Sequence, residues 1–204
     1  MISIMKKQMN LQENILKKIL NKIYILLFFF ISTQIYANER WVIDKNLSYI
    51  KFEVPVLFAK NVSGKFNKID GFVEIDQEDR LNNKAIFSVD IKSIDLNYNK
   101  YKELILSDIF FNVNKYPISV LDTKKFSYEN EESILLNIEL TIKGISKIIP
   151  VNLKVSDYSE DFVQVKAIAS FSRNDFKIGT GQWSNTVILK DKINLESNIF
   201  LVKE

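Results

Sequence analysis

The sequence predicts an all-β protein whose strands close into an eight-stranded antiparallel barrel. From Trp41 onward apolar and polar residues alternate, as in strands with one buried and one solvated face. The alternating runs are joined by short polar turns, which favours hairpins between consecutive strands. A sheet of that many long strands must curl, and closure removes its exposed edges. A β-sandwich is the alternative architecture.

Eight alternating runs define the expected strands. They cover residues 47–58, 65–76, 85–96, 117–128, 133–143, 148–156, 162–172 and 186–201. Residues 97–116 interrupt the pattern, because Tyr98, Tyr101 and Leu104 recur there at helical spacing. We expect a short helix between the third and fourth strands, acting either as a plug that seals one end of the barrel or as a lid over a ligand.

Residues 1–37 have the order of a secretory signal peptide. Lysines precede the apolar stretch 23–31, and Ala37 provides the small residue that a signal peptidase requires. The apolar stretch is too short to cross a bilayer core, which needs about 20 residues, so an uncleaved anchor is the less favoured interpretation. We expect cleavage before Asn38, a mature domain of residues 38–204, and a periplasmic location.

Composition excludes several classes of chemistry. The chain contains no Cys and no His, so disulfides, the usual zinc sites, haem ligation and Ser-His-Asp catalysis are impossible within it. Residues 1–37 hold five of the 28 basic and one of the 25 acidic residues, which leaves 23 and 24 for the remainder. That balance gives no electrostatic case for binding nucleic acid. We expect no cofactor and no metal.

Six short motifs follow one another from about Trp41 to Val202. They are Asp44, Ser48 and Phe52; Gly64, Phe66, Lys68 and Gly71; Ser93, Ile94 and Asp95; Phe110, Phe111, Asn112 and Val113 with Lys115, Tyr116 and Pro117; Leu140, Thr141, Ile142, Lys143 and Gly144; and Arg173, Asp175, Phe176, Ile178 and Gly179. Together they resemble the YceI-like family of periplasmic proteins with a lipocalin-like fold. The resemblance implies a barrel around an apolar tunnel that binds a polyisoprenoid chain, such as an isoprenoid quinone or a polyprenyl phosphate. Leu96, Ile109, Asn112 and Lys177 depart from the family's motifs.

Inward-facing residues of the long strands are the candidates for contact with such a ligand, since binding pockets are lined mainly by apolar side chains. The candidates are Phe52, Val54, Phe87, Val89, Phe110, Phe111, Ile138, Leu140 and Phe171. Arg173, Asp175, Asp95 and Trp183 are candidates for a polar group near the ligand's head. Arg173 either holds a phosphate or quinone oxygen, or forms a structural ion pair with Asp95 or Asp175, and we favour the ion pair.

The sequence therefore predicts a non-enzymatic carrier of a long-chain isoprenoid-type lipid. Two other functions stay open. One is a stress-related protein-interaction module whose barrel is packed shut. The other, less favoured, is a lipid-modifying enzyme that uses two carboxylates, Asp95 and Asp175, as acid and base. Assembly as a homodimer is also possible.

Overall fold

The structure is a computed structural model that describes residues 13, 16–22, 38–56, 61–128 and 132–204. The chain divides into a unit of residues 1–36 and a unit of residues 37–204, and residues 16–22 of the first unit are helical. The apolar stretch of the expected signal peptide and its cleavage site at Ala37 lie outside the described residues. None of the described helices is both long and apolar enough to span a membrane.

The regular secondary structure of the second unit is mostly β-strand. In chain order they are β1 (Glu39–Ile43), β2 (Tyr49–Val54), β3 (Val62–Phe66), β4 (Ile69–Ile75), β5 (Lys84–Asp90), β6 (Ile94–Leu96), β7 (Ile118–Asp122), β8 (Ser133–Ile142), β9 (Ile145–Ser159), β10 (Phe162–Ser172) and β11 (Lys192–Lys203). Every strand pairing is antiparallel, and the order is β1-β4-β5-β7-β8-β9-β10-β11-β2-β3-β6 with a further pairing of β1 to β11.

These strands close into a barrel with eight positions, as predicted. Strand β11 pairs with β1 at Val202 and with β2 at Ser197, so β1 and β2 share one position in the ring. Strands β3 and β4 share the next position, because β3 pairs with β2 and β4 pairs with β1. Strands β5 and β6 share the position after that, because β6 pairs with β3 and β5 pairs with β4. Each neighbour in the ring is the next position along the chain, which is an up-and-down barrel.

Two of the three bends that divide a barrel position depend on residues of the sequence motifs. Between β1 and β2, the Asp44 carboxylate accepts hydrogen bonds from the amides of Asn46 and Leu47. Between β3 and β4, the Ser93 hydroxyl accepts from the amides of Asn67 and Lys68 at 3.2 and 3.1 Å. These side chains accept hydrogen bonds from backbone amides that have left the strand ladder, and so hold the bends.

Several predicted strand boundaries were wrong. Strand β1 lies ahead of the first predicted run, which began at residue 47. The fourth predicted run, 117–128, shrinks to β7. The last run, 186–201, begins only at Lys192, because residues 186–188 form a turn and Leu189 makes an isolated bridge to Val56. Alternation alone does not identify these limits, because the closing strands and the turn contain similar mixtures of apolar and polar residues.

The segment between β6 and β7 contains the expected helix. A 3-10 turn at Asn99–Tyr101 leads into α1 (Lys102–Leu106), which ends where the amide of Ser107 bonds back to Glu103 and Leu104. Strand β7 pairs with β5, not with β6. The helix therefore lies in the connection from β6, which shares a barrel position with β5, to β7.

Candidate ligand-binding cavities

Two cavities lie along the inward faces of the barrel strands. The first cavity has a volume of about 540 Å³ and is bordered by Tyr101, Leu104 and Ile105 of the helical segment. The second cavity has a volume of about 640 Å³ and reaches the β9–β10 hairpin at Ser159 and Glu160. Both volumes fall in the range of about 300–1,000 Å³ typical of small-molecule sites. The interior is therefore not packed shut.

All nine residues predicted to line a ligand cavity border one of these two spaces. Seven border the first cavity, namely Phe52, Val54, Val89, Phe110, Phe111, Leu140 and Phe171. Phe87 and Ile138 border the second cavity. The alternation of the strands identifies seven of them, because side chains of a barrel strand point alternately inward and outward, whereas Phe110 and Phe111 lie in the irregular segment between α1 and β7. Their contact with a ligand remains a prediction.

The first cavity is almost wholly apolar. Its lining combines the inward faces of β2, β7, β8 and β11 with the aromatic corner at Phe110 and Phe111. Aromatic rings meet around this corner: Phe111 lies edge-on to Phe66 at 6.2 Å, and Phe110 is tilted against Trp183 at 5.8 Å between ring centroids. Such rings provide large apolar contact areas in fixed geometry.

Sequence reasoning missed the part of the first cavity contributed by irregular segments. Ile188 and Leu189 border it, although they precede β11. Lys100, just before α1, and Ile105, within α1, border it as well. Residues 97–116 carried a signal, namely the helical spacing of their apolar side chains. Residues 188 and 189 carried no distinguishing pattern and fell within the last predicted strand, 186–201.

Arg173 is almost completely buried, with 1% of its surface exposed, and it borders the first cavity. Its Nε donates to the carbonyl of Lys190 at 3.0 Å, and its Nη2 donates to that of Leu189 at 2.7 Å. Its Nη1 donates to the carbonyls of Ile178 and Gly179 at 2.9 and 3.3 Å, and also contacts Asn174 Oδ1 at 3.2 Å. The guanidinium thus joins the turn after β10 to the segment before β11.

The expected ion pairs of Arg173 are corrected by this geometry. Among the described contacts Arg173 pairs with neither Asp95 nor Asp175, and both carboxylates are on exposed residues that border neither cavity. Backbone carbonyls accept the hydrogen bonds of Arg173 instead of carboxylates. A guanidinium can bond several carbonyls at once, because it carries five donors in a planar fork. Burial lowers the pKa of Arg173, and the charge of Asp191 opposes that shift.

Trp183 is the fourth residue considered for the ligand's head. It lies in the 3-10 turn Gly181–Ser184, is half-buried and borders the first cavity beside Phe110. Asp95 and Asp175 are not brought into a cavity, so the structure does not assemble the carboxylate pair that an enzymatic mechanism would need.

The second cavity differs from the first in its polar rim. Asp76, Arg80 and Glu160 border it together with Glu39, which forms an ion pair with Lys203 at 2.7 Å. The side chain of Asn82 and the amides of Asp79 and Glu78 bond the carboxylate of Asp76 and lower its pKa. Farther inside, the wall is apolar, with Leu136, Ile138, Val163 and others.

The closed barrel with internal apolar cavities defines a protein of the lipocalin-like binding class. Residues 41–201 match the sequence profile of the YceI-like domain. The chain therefore belongs to the YceI-like family.

Two relatives illustrate the distance within that family. A UPF0312 protein of Photorhabdus laumondii is 25% identical over 130 residues, which are 64% of this chain and 67% of the relative. A UPF0312 protein of Vibrio cholerae is 25% identical over 123 residues, which are 59% of this chain and 65% of the relative. The chain thus spans about two thirds of the length of these curated relatives.

Solved structures share the fold. Burkholderia cenocepacia BcnA superposes with a TM-score of 0.70 at 20% identity, covering 78% of this chain and 98% of that one. A polyisoprenoid-binding domain from Saccharophagus degradans, implicated in plant cell wall breakdown, gives 0.64 at 13% identity, covering 80% and 98%. The Campylobacter jejuni YCEI protein gives 0.63 at 24% identity, covering 74% and 89%.

Proposed function

We propose that this protein is a carrier that holds a long-chain isoprenoid-type lipid inside its barrel. The observation that carries the proposal is the pair of cavities within the barrel, whose inner walls are apolar. Family membership supports it, as does the likeness to a fold neighbour described as a polyisoprenoid-binding domain.

The apolar inner walls of the two cavities favour a hydrocarbon chain as the ligand. Burial of apolar surface contributes about 25 cal/mol per Å², so a long hydrocarbon chain gains most where no polar group must lose its water. Arg173 does not oppose this, because its donors are already bonded to carbonyls. A packed barrel acting through its surface is less favoured, since its interior would contain no such space.

The polar head of the ligand is assigned to the class of isoprenoid quinones or polyprenyl phosphates. Lys100 borders the first cavity and is exposed, and its ammonium lies 5.0 Å from the ring centroid of Tyr101, which borders the same space. A phosphate or a quinone oxygen accepts hydrogen bonds from such a group. Trp183 offers an indole N–H on the same cavity.

We further propose that the carrier acts in the periplasm after removal of residues 1–37. The lysine-bearing start, the apolar stretch 23–31 and Ala37 support export. Expression of the full chain in a Gram-negative host, followed by N-terminal sequencing of the periplasmic fraction, tests this. A mature chain that begins at Asn38 is expected, and retention of the intact chain with the membrane would contradict it.

The lipid is tested by native mass spectrometry of the protein purified from that fraction, followed by organic extraction. We expect a stoichiometric bound isoprenoid lipid in the wild-type protein. Replacement of Val54 by Phe, which fills space in the first cavity, should reduce the occupied fraction, whereas Lys51→Phe on the exposed face of the same strand should not. An apo mass that persists after incubation with ubiquinone and undecaprenyl phosphate would overturn the proposal.

A further inference from the structure

Two residues mark the boundary between the cavities. Among the described lining residues, Ile50 and Leu121 alone border both spaces. Ile50 lies on β2 and Leu121 lies on β7. These strands are three positions apart in the ring of eight, so the two side chains enter the barrel from nearly opposite walls. They stand where one cavity gives way to the other.

The surroundings of the two residues give them different freedom. Ile50 is 9% exposed and belongs to one hydrophobic core cluster, whereas Leu121 is less buried and packs against both clusters. Branching at Cβ makes the χ1 angle of Ile50 stiff, but Leu121 is not branched there. Leu121 can therefore change rotamer at lower cost than Ile50.

We infer that Ile50 and Leu121 form a partition that sets the length of isoprenoid chain the barrel accepts. This inference rests on the proposed function, because it concerns how the same cavities are used. A short chain occupies the first cavity with the partition closed. A longer chain must displace Leu121 and continue into the second cavity.

The second cavity is suited to the far part of such a chain. Its wall beyond the partition includes Ile138, Val163 and Val165, which offer apolar contact. The chain then approaches the rim formed by Asp76, Arg80 and Glu160, where charged groups would lose water against hydrocarbon. The partition and this charged rim thus define two successive limits on chain length.

The test compares binding of farnesol, geranylgeraniol and solanesol, isoprenoid alcohols of increasing length, to the purified full-length protein and its variants. Leu121→Phe enlarges the partition, and we expect it to weaken solanesol binding by at least about tenfold while farnesol binding is retained, because the longer chain alone loses buried apolar surface. Leu121→Ala removes part of the partition, so solanesol should bind more tightly relative to farnesol.

Leu195→Ala is the matched control. The substitution removes the same atoms as Leu121→Ala, but Leu195 borders only the first of the two cavities. We expect it to affect the three alcohols without the selective gain for solanesol. Circular dichroism and thermal unfolding of each variant establish that the barrel is folded, and Leu121→Phe keeps the test informative if Leu121→Ala is unstable.

The outcomes separate this inference from the proposed function. A wild-type protein that binds neither these alcohols nor ubiquinone and undecaprenyl phosphate overturns both. A wild-type protein that binds them, with length preference unchanged in both Leu121 variants, overturns the partition alone. Equal gains for solanesol in Leu121→Ala and Leu195→Ala would also overturn it, because cavity volume rather than the partition would then set the length.

Discussion

Arg173 shows how a single side chain can organise an irregular part of the barrel. Its guanidinium bonds to four backbone carbonyls from two segments, and nothing in the described contacts gives it a carboxylate partner. Carbonyls of irregular segments have no strand to bond with, so a buried donor group must serve them. The residue is therefore primarily structural, although it borders the first cavity.

Replacement of Arg173 by Gln should strongly destabilise the fold. Its loss leaves several buried carbonyls without donors, and we expect the free energy of unfolding to fall by about 3 kcal/mol or more. Urea unfolding followed by circular dichroism measures this. The control is Arg40→Gln: Arg40 forms exposed ion pairs with Glu74 and Glu204, so its loss should cost no more than about 1 kcal/mol. Similar losses in the two variants would refute a structural role for Arg173.

Gly71 is required by both backbone conformation and space. Its φ is +154°, and a Cβ placed on it would lie 2.3 Å from the carbonyl oxygen of Ile86 on the neighbouring strand β5. Only a residue without a side chain fits there without moving the ladder between β4 and β5.

Gly71→Ala should therefore destabilise the barrel by about 3 kcal/mol, since it combines backbone strain with a clash against backbone. Gly181→Ala provides the matched control, because Gly181 also has a positive φ, of +62°, but no atom lies within 4 Å of the added Cβ. We expect a loss of about 1 kcal/mol there. Thermal unfolding midpoints compare the two, and a milder effect at Gly71 would contradict the steric argument.

At the scale of elements, α1 has a clearer position than the sequence could assign. It borders the first cavity through Leu104 and Ile105, a position that both a lid and a plug would have. The helix has five residues, which is too short to be stable by itself. Its order depends on apolar contacts, among them those of Ile105 and Leu106 with one core cluster and Leu104 with the other.

If α1 is a lid, Leu104→Ala should speed release of a bound chain. Loss of the leucine side chain removes apolar contact at the end of the cavity, and we expect the dissociation rate constant of dansyl-labelled farnesol to rise by about tenfold, with little effect on secondary structure. Stopped-flow displacement by unlabelled farnesol measures it. Glu103→Ala, at the exposed neighbouring position, should leave the rate unchanged, and a rate unaffected by Leu104→Ala would exclude the lid.

For the whole molecule, the charged groups predict a stability that is flat near neutral pH. A side-chain hydrogen bond from Lys45 lowers the pKa of Asp70, and one from Lys154 lowers that of Glu132. A carboxylate with a lowered pKa stabilises the fold above its unfolded value, and this contribution is lost as pH falls through the folded pKa. Lys203, whose pKa is raised by Glu39, loses its contribution only as pH rises beyond the ordinary lysine value of 10.5.

Because the chain has no His and no Cys, no side chain of ordinary pKa titrates between about pH 6 and about pH 8. We expect the urea midpoint to stay constant from about pH 6 to about pH 8 and to decline below about pH 4, where Asp and Glu become protonated. Equilibrium unfolding at a series of pH values, at constant ionic strength, tests this. A midpoint that changes steeply between pH 6 and pH 8 would contradict it.

The sequence alone determined the barrel and most of its lining, because alternation with a period of two is a local property that each strand carries by itself. It also determined, through the absence of His and Cys, which chemistry is impossible. The tertiary structure decided what depends on residues far apart in the chain. The carbonyl partners of Arg173, the division of three barrel positions by bends and the placement of Ile50 and Leu121 at the boundary of two cavities depend on residues brought together by ring closure. No local pattern encodes which distant groups will face each other once the first and last positions of the barrel are joined.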